Sequence, residues 1–100
     1  MKNKMHIYFM PGLGASSKIF EYINLPHDRF ECHYFEWITP DSNAETLESY
    51  SQKYAAQIKY EDVVLIGVSF GGILVQEISK LIPAKHVIII SSVKSNDEMP

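Results

Sequence analysis

The stretch Gly67-Val68-Ser69-Phe70-Gly71-Gly72 constrains this chain more than any other. It follows an apolar, β-branched run, Val63 to Ile66, and opens a helical pattern that continues to Ile82, where Pro83 stops it. A strand that turns at once into a helix brings two backbones together, and glycines at 67, 71 and 72 remove the side chains that would clash there. The serine then projects alone at the top of a sheet. It also stands at the amino end of a helix, where free N–H groups and the macrodipole favour negative charge.

The rest of the chain alternates in the same way. Met5 to Met10 is a short run of β-formers ended by Pro11-Gly12-Leu13-Gly14, and it reads as the first strand. Ser16 or Ser17 caps a short helix through about Ile23, and Leu25-Pro26-His27-Asp28 forms a loop. Phe30 to Trp37 mixes aromatic and polar residues and reads as a second strand at a sheet edge. Ser42 and Glu45 have capping-box spacing, and Leu47, Tyr50, Tyr54 and Ile58 then mark one apolar helical stripe, which assigns the tyrosines to the core. Val63 to Val68 is the third strand, and Val87 to Ile90 a fourth whose unbroken β-branched run suits a parallel strand buried on both faces. The order βαβαβαβ predicts an α/β fold, a parallel sheet with helices on both faces. In such a sheet reacting groups gather at the carboxyl ends of the strands, which puts Ser69 and the Pro11–Gly14 loop on one edge.

Composition narrows the function classes. A chain of 100 residues makes one small domain, and 46% hydrophobic residues is a globular composition. The net charge is −3 and the nine basic residues are scattered, so no nucleic-acid footprint is expected. Cys32, the single cysteine, has no internal partner and reads as a small buried thiol inside a strand. The apolar run after Met1-Lys2-Asn3-Lys4 is broken at Pro11-Gly12, too early for a signal peptide or a membrane span, and a soluble cytoplasmic protein is the expectation.

Two motifs carry a resemblance. Gly67 to Gly71 reads G-x-S-x-G between strand and helix and resembles the nucleophile elbow of the α/β-hydrolase superfamily. The Pro11-Gly12-Leu13-Gly14 loop after the first strand resembles that superfamily's oxyanion loop, with Pro11 where many members have histidine. The order of elements is similar over the whole chain to the amino-terminal part of such a domain, so residues 1–100 would be that part, ending after the strand that follows the elbow helix. The resemblance implies a serine hydrolase acting on acyl esters or related bonds of small molecules. Ser69 would be the nucleophile, the backbone N–H groups of Leu13 and Phe70 the oxyanion hole, and Gly12, Gly14, Gly67 and Gly71 the supporting turns. It implies no cofactor and no metal.

The serine also needs a histidine base, which in this superfamily follows it in chain order together with an acid. None of the four histidines fits. His6 and His86 fall at the opposite sheet edge from Ser69, on the order of 15 Å away at the rise of a strand; His27 lies in a loop at that same wrong edge, and His33 lies within the second strand, away from the nucleophile strand. Asp97 follows the fourth strand on the correct edge, and Trp37 ends the second strand where it could line an acyl pocket. The acid and histidine are therefore expected in sequence beyond this stretch. A sheet stopped at Val87 to Ile90 would leave an apolar edge open to self-association. Two other classes stay open. One is a non-catalytic relative that keeps the fold for binding. The other is a dinucleotide-binding module, since Gly12-Leu13-Gly14 with Glu36 about twenty residues on partly imitates the fingerprint, although Ser17 stands in place of its third glycine.

Overall fold

The computed structural model describes residues 4–12, 17–20, 23, 25–40, 42 and 44–90. The β-branched and aromatic runs form four strands, β1 (Met5–Met10), β2 (Phe30–Tyr34), β3 (Val63–Val68) and β4 (Ala84–Ile90). Two α-helices, α1 (Leu47–Ala55) and α2 (Phe70–Ser79), and a 3-10 turn over Ser17–Phe20 complete the described elements. Every strand pairing is parallel, and the order across the sheet is β2-β1-β3-β4. The fold is thus a small α/β fold. No helix among the described residues is long and apolar enough to cross a membrane.

Alternation along the strands sorts the core into two layers. Tyr8, Met10, Val63 and Leu65 face one way and pack against Tyr50 and Tyr54 of α1 and Leu74, Val75 and Ile78 of α2. Ile7, Phe9 and Val64 face the other way and meet Phe20 of the 3-10 turn. Helices on both faces were expected, and among the described residues both α-helices lie on one face. Handedness explains the arrangement. The β2-to-β3 and β3-to-β4 crossovers move across the sheet in one direction and fall on one side, whereas β1-to-β2 moves the opposite way and falls on the other. That second side carries a four-residue 3-10 turn where a short α-helix to Ile23 was expected.

Local chemistry moves two boundaries. The capping box at Ser42 does not start α1: Thr46 is its N-cap, accepting from the Ser49 amide at 3.0 Å, while the Ser42 hydroxyl accepts from Ala44 in a separate turn. Strand β2 ends at Tyr34, with one further ladder bond from the Phe35 amide to the Phe9 carbonyl, before the chain leaves the sheet toward Trp37. The α1 tyrosines fix where it goes. The buried Tyr54 hydroxyl accepts from the Ile38 amide at 2.8 Å, the Tyr50 hydroxyl donates to the Ile38 carbonyl at 2.5 Å, and the two hydroxyls bond each other at 2.8 Å. Burial and the bond to Tyr50 push the Tyr54 hydroxyl well above the ordinary phenol range. Strand β4 departs from the buried parallel strand expected of it: among the described residues it lies at a sheet edge, and Val87 to Ile90 are each 37–48% exposed.

Candidate functional site

The chain begins in the middle of the sheet, goes out to β2, then crosses over β1 to build β3 and β4. The direction of winding therefore reverses between β1 and β3, and their carboxyl ends frame the crevice where open α/β sheets hold ligands. Met10 to Gly12 leaves one side of that crevice and Ser69 the other.

Ser69 occupies the junction between β3 and α2 with φ 57° and ψ −122°, a backbone conformation that non-glycine residues rarely adopt. Its amide donates to the Ile90 carbonyl at 2.8 Å, and its carbonyl accepts from Gly72 at 2.8 Å, so the strain is held from both sides. The side chain is exposed and makes no capping bond to the helix it precedes. A serine serving only as an N-cap would have extended backbone and would accept from the first turn.

The glycines explain how the turn is possible. A Cβ on Gly67 would lie 2.3 Å from the Gly71 carbonyl oxygen, and one on Gly71 would lie 2.5 Å from the Pro11 carbonyl oxygen. On Gly72 it would meet the Ile89 side chain at 2.6 Å. Strand β3, the start of α2 and the end of β1 thus meet backbone to backbone. A Cβ on Gly12 would come within 3.7 Å of the Ser69 Cβ, which places the start of the glycine loop directly beside the serine. The amide of Phe70, first residue of α2, has no intrahelical acceptor because of its position. Leu13 and Gly14, read as an oxyanion donor and a turn glycine, lie outside the described residues, as does Asp97.

Trp37 joins these parts. Its indole N–H donates to the Gly12 carbonyl at 2.7 Å, and its ring stacks on Phe70 at 5.8 Å and on Tyr50 at 6.2 Å. Sequence reading placed Trp37 at this edge, but the bond to Gly12 and the stack on Phe70 depend on how the segment after β2 is anchored at Ile38. The glycine-loop alternative fares less well: the described residues after Gly12 form a 3-10 turn, whereas a dinucleotide site needs the N-terminus of an α-helix.

None of the four histidines reaches Ser69. His86, beside Val64 in the β3–β4 register, sits near the start of β4, and His27 precedes β2. His6 is the second residue of β1 and His33 the fourth of β2, on the same face of the sheet. They face each other, Nδ1 of His6 2.9 Å from Nε2 of His33, with the Glu31 carboxylate 3.8 Å from that same Nε2. Burial lowers the His33 imidazole below its ordinary range, His6 lowers it further, and Glu31 opposes both. A cleft of about 290 Å³ lined by His6, Lys4, Met5, Glu61, Asp62 and Lys85 opens at the amino edge of the sheet, far from Ser69. The pattern that would have found the cluster is Glu31-Cys32-His33, two donors on one strand face, but it becomes a cluster only when His6 is in register opposite Glu31.

No protein-family model matches the chain, and comparison with curated proteins finds no relative. The functional reading therefore rests on the geometry of the junction itself.

Proposed function

We propose that the protein is a serine hydrolase of the α/β-hydrolase type, acting on acyl esters or related bonds of small molecules with Ser69 as nucleophile. The observation that carries this reading is the backbone of Ser69: a strained, exposed, uncapped serine at a glycine-packed strand-to-helix junction beside the sheet's switch point. Such strain serves no purpose in a helix cap and is what lifts a hydroxyl clear of its surroundings. In the proposed reaction the Ser69 Oγ adds to the acyl carbonyl as a base takes its proton. The oxyanion then forms against the amides of Phe70 and Leu13, each such donor being worth about a hundredfold to a thousandfold in turnover. Collapse expels the alcohol with that proton, and water releases the acid from the serine by the same steps. The Trp37–Phe70 stack beside the serine is the apolar wall for the acyl group.

The base is a histidine brought to Ser69 from sequence after the fourth strand or from a second chain, since none of the four here is within reach. That gap is also what favours the second reading, a non-catalytic relative that binds at the same crevice. Labelling with a fluorophosphonate probe separates the two. Modification at Ser69, located by peptide mass spectrometry and abolished in Ser69→Ala, supports an activated serine; a folded protein that stays unlabelled under conditions that label a known serine esterase supports the binding relative. Self-association through the exposed apolar edge of β4 belongs to the same proposal, and sedimentation velocity checks it.

A further inference from the structure

The register of β1 against β2 places three metal-binding side chains on one face. Glu31 and His33 are two apart on β2 and so project to the same side, and Glu31 lies directly opposite His6 on β1. Their donor atoms, His6 Nδ1, His33 Nε2 and a Glu31 oxygen, all lie within 4.8 Å of one another. The two closest pairs are 2.9 Å and 3.8 Å apart. A tetrahedral ion about 2.1 Å from each of its ligands needs donor pairs about 3.4 Å apart, so the two imidazoles open by about half an ångström from their 2.9 Å contact and the exposed Glu31 carboxylate swings in to complete the set.

The rings are held in place before any ion arrives. Tyr60 lies flat on His6, centroids 3.4 Å apart and planes within 8°, and Tyr8 lies on His33 at 4.3 Å and 14°. Stacking of this kind restrains the plane of each ring and so supplies part of the ordering a metal site requires. Without metal, two imidazoles facing each other at this distance share one proton. On metal binding that proton moves, through water, to the outer nitrogen of the same ring, leaving both inner lone pairs free. The cleft against His6 gives the ion a path in from solvent.

We propose that His6, His33 and Glu31 form a binding site for a divalent transition ion, zinc in the first instance, spanning β1 and β2 and apart from the Ser69 crevice. Two imidazoles and one carboxylate with an open fourth position is a donor set suited to Zn²⁺, and too poor in oxygen for Ca²⁺ or Mg²⁺. Because the ligands come from β1 and its edge neighbour β2, the ion cross-links the two and is expected to raise the thermal midpoint of the whole chain.

The test is calorimetric titration of Zn²⁺ into the metal-stripped full chain, paired with the visible spectrum of its Co²⁺ form. The expected result is one site with an affinity of about a micromolar or tighter, and a tetrahedral Co²⁺ spectrum. His6→Phe and His33→Phe, which keep the ring stacks and remove a donor, are each expected to weaken binding by about a hundredfold or more, and Glu31→Gln, which leaves a neutral amide oxygen in place of the carboxylate, by at least about tenfold. His86→Ala, on the opposite sheet face, leaves it unchanged. Binding that survives His6→Phe combined with His33→Phe, or no uptake at millimolar Zn²⁺ by a chain shown folded by circular dichroism, overturns the assignment. Fluorophosphonate labelling at Ser69 is unaffected by these variants, so the two sites stand or fall separately.

Discussion

Replacing Ser69 by glycine is expected to stabilise the protein, the reverse of glycine's usual effect. The residue holds φ 57° and ψ −122° between a strand and a helix that cannot move apart, with its amide bonded to Ile90 and its carbonyl to Gly72. Holding a non-glycine residue in such a region costs about 1–3 kcal/mol. Glycine removes that cost but enlarges the unfolded ensemble, an opposing effect of about 0.4–1 kcal/mol. The difference is a net gain of roughly 1 kcal/mol, or about 4–8 °C in the thermal midpoint of a domain of this size. Ser69→Ala is the internal reference. It keeps the Cβ, hence the strain, and loses an exposed hydroxyl that makes no capping bond, so its stability is expected to stay within about 0.5 kcal/mol of the parent. Urea unfolding followed by circular dichroism measures all three proteins at one temperature. If Ser69→Gly proves less stable than Ser69→Ala by about the ordinary glycine penalty, the junction is unstrained and the argument for a projected nucleophile loses its foundation.

Gly67→Ala is expected to destabilise by about 3 kcal/mol or more, because its Cβ would meet backbone at 2.3 Å with no side chain to yield; Gly72→Ala, whose obstacle is the Ile89 side chain, should cost nearer 1 kcal/mol, and the order of the two in urea unfolding is the check. Trp37→Phe keeps an aromatic ring beside Phe70 but leaves the Gly12 carbonyl without its donor, an expected loss of about 0.5–1.5 kcal/mol accompanied by slower fluorophosphonate labelling of Ser69. Tyr54 gives a pH dependence with a definite sign. Its folded hydroxyl titrates above the unfolded phenol value near 10, so above that pH the native state holds more protons than the unfolded state and stability falls as pH rises. Unfolding curves at stepped pH between 8 and 11 are expected to show this loss, reduced in Tyr54→Phe.

The parts of the fold that were legible in the sequence are those written by local pattern. Strand β1 over Met5–Met10 and β3 over Val63–Val68 follow from apolar β-branched and aromatic runs ended by glycine, and α2 follows from its periodicity after the glycines. The start of α1 is not legible in the sequence because two serine- or threonine-led turns stand four residues apart, and only three-dimensional geometry shows that Thr46 and not Ser42 bonds the first turn. The side of the sheet that each helix covers was not legible, since it follows from the strand order. At the site, the Ser69 junction could be read because its glycines and its serine are contiguous. Trp37 on Gly12 and His6 on His33 could not, because the first is set by how the segment after β2 is anchored at Ile38 and the second by the register of β1 against β2.

The position of β1 between β2 and β3 also bears on how the chain assembles. Strand β1 must wait for β3, from Ile7 to Val64 along the chain, with β2 and α1 looped out between them, whereas β3 and β4 are joined by α2 alone. Closing the longer loop costs about 1 kcal/mol more in chain entropy, and it comes before the contacts that repay it. The β3–α2–β4 unit is therefore expected to form first and to present Ser69 already at its turn, with β1 docking late against Gly71. Variants at Leu65 or Val75 would then slow refolding, while variants at Phe9 would mainly hasten unfolding.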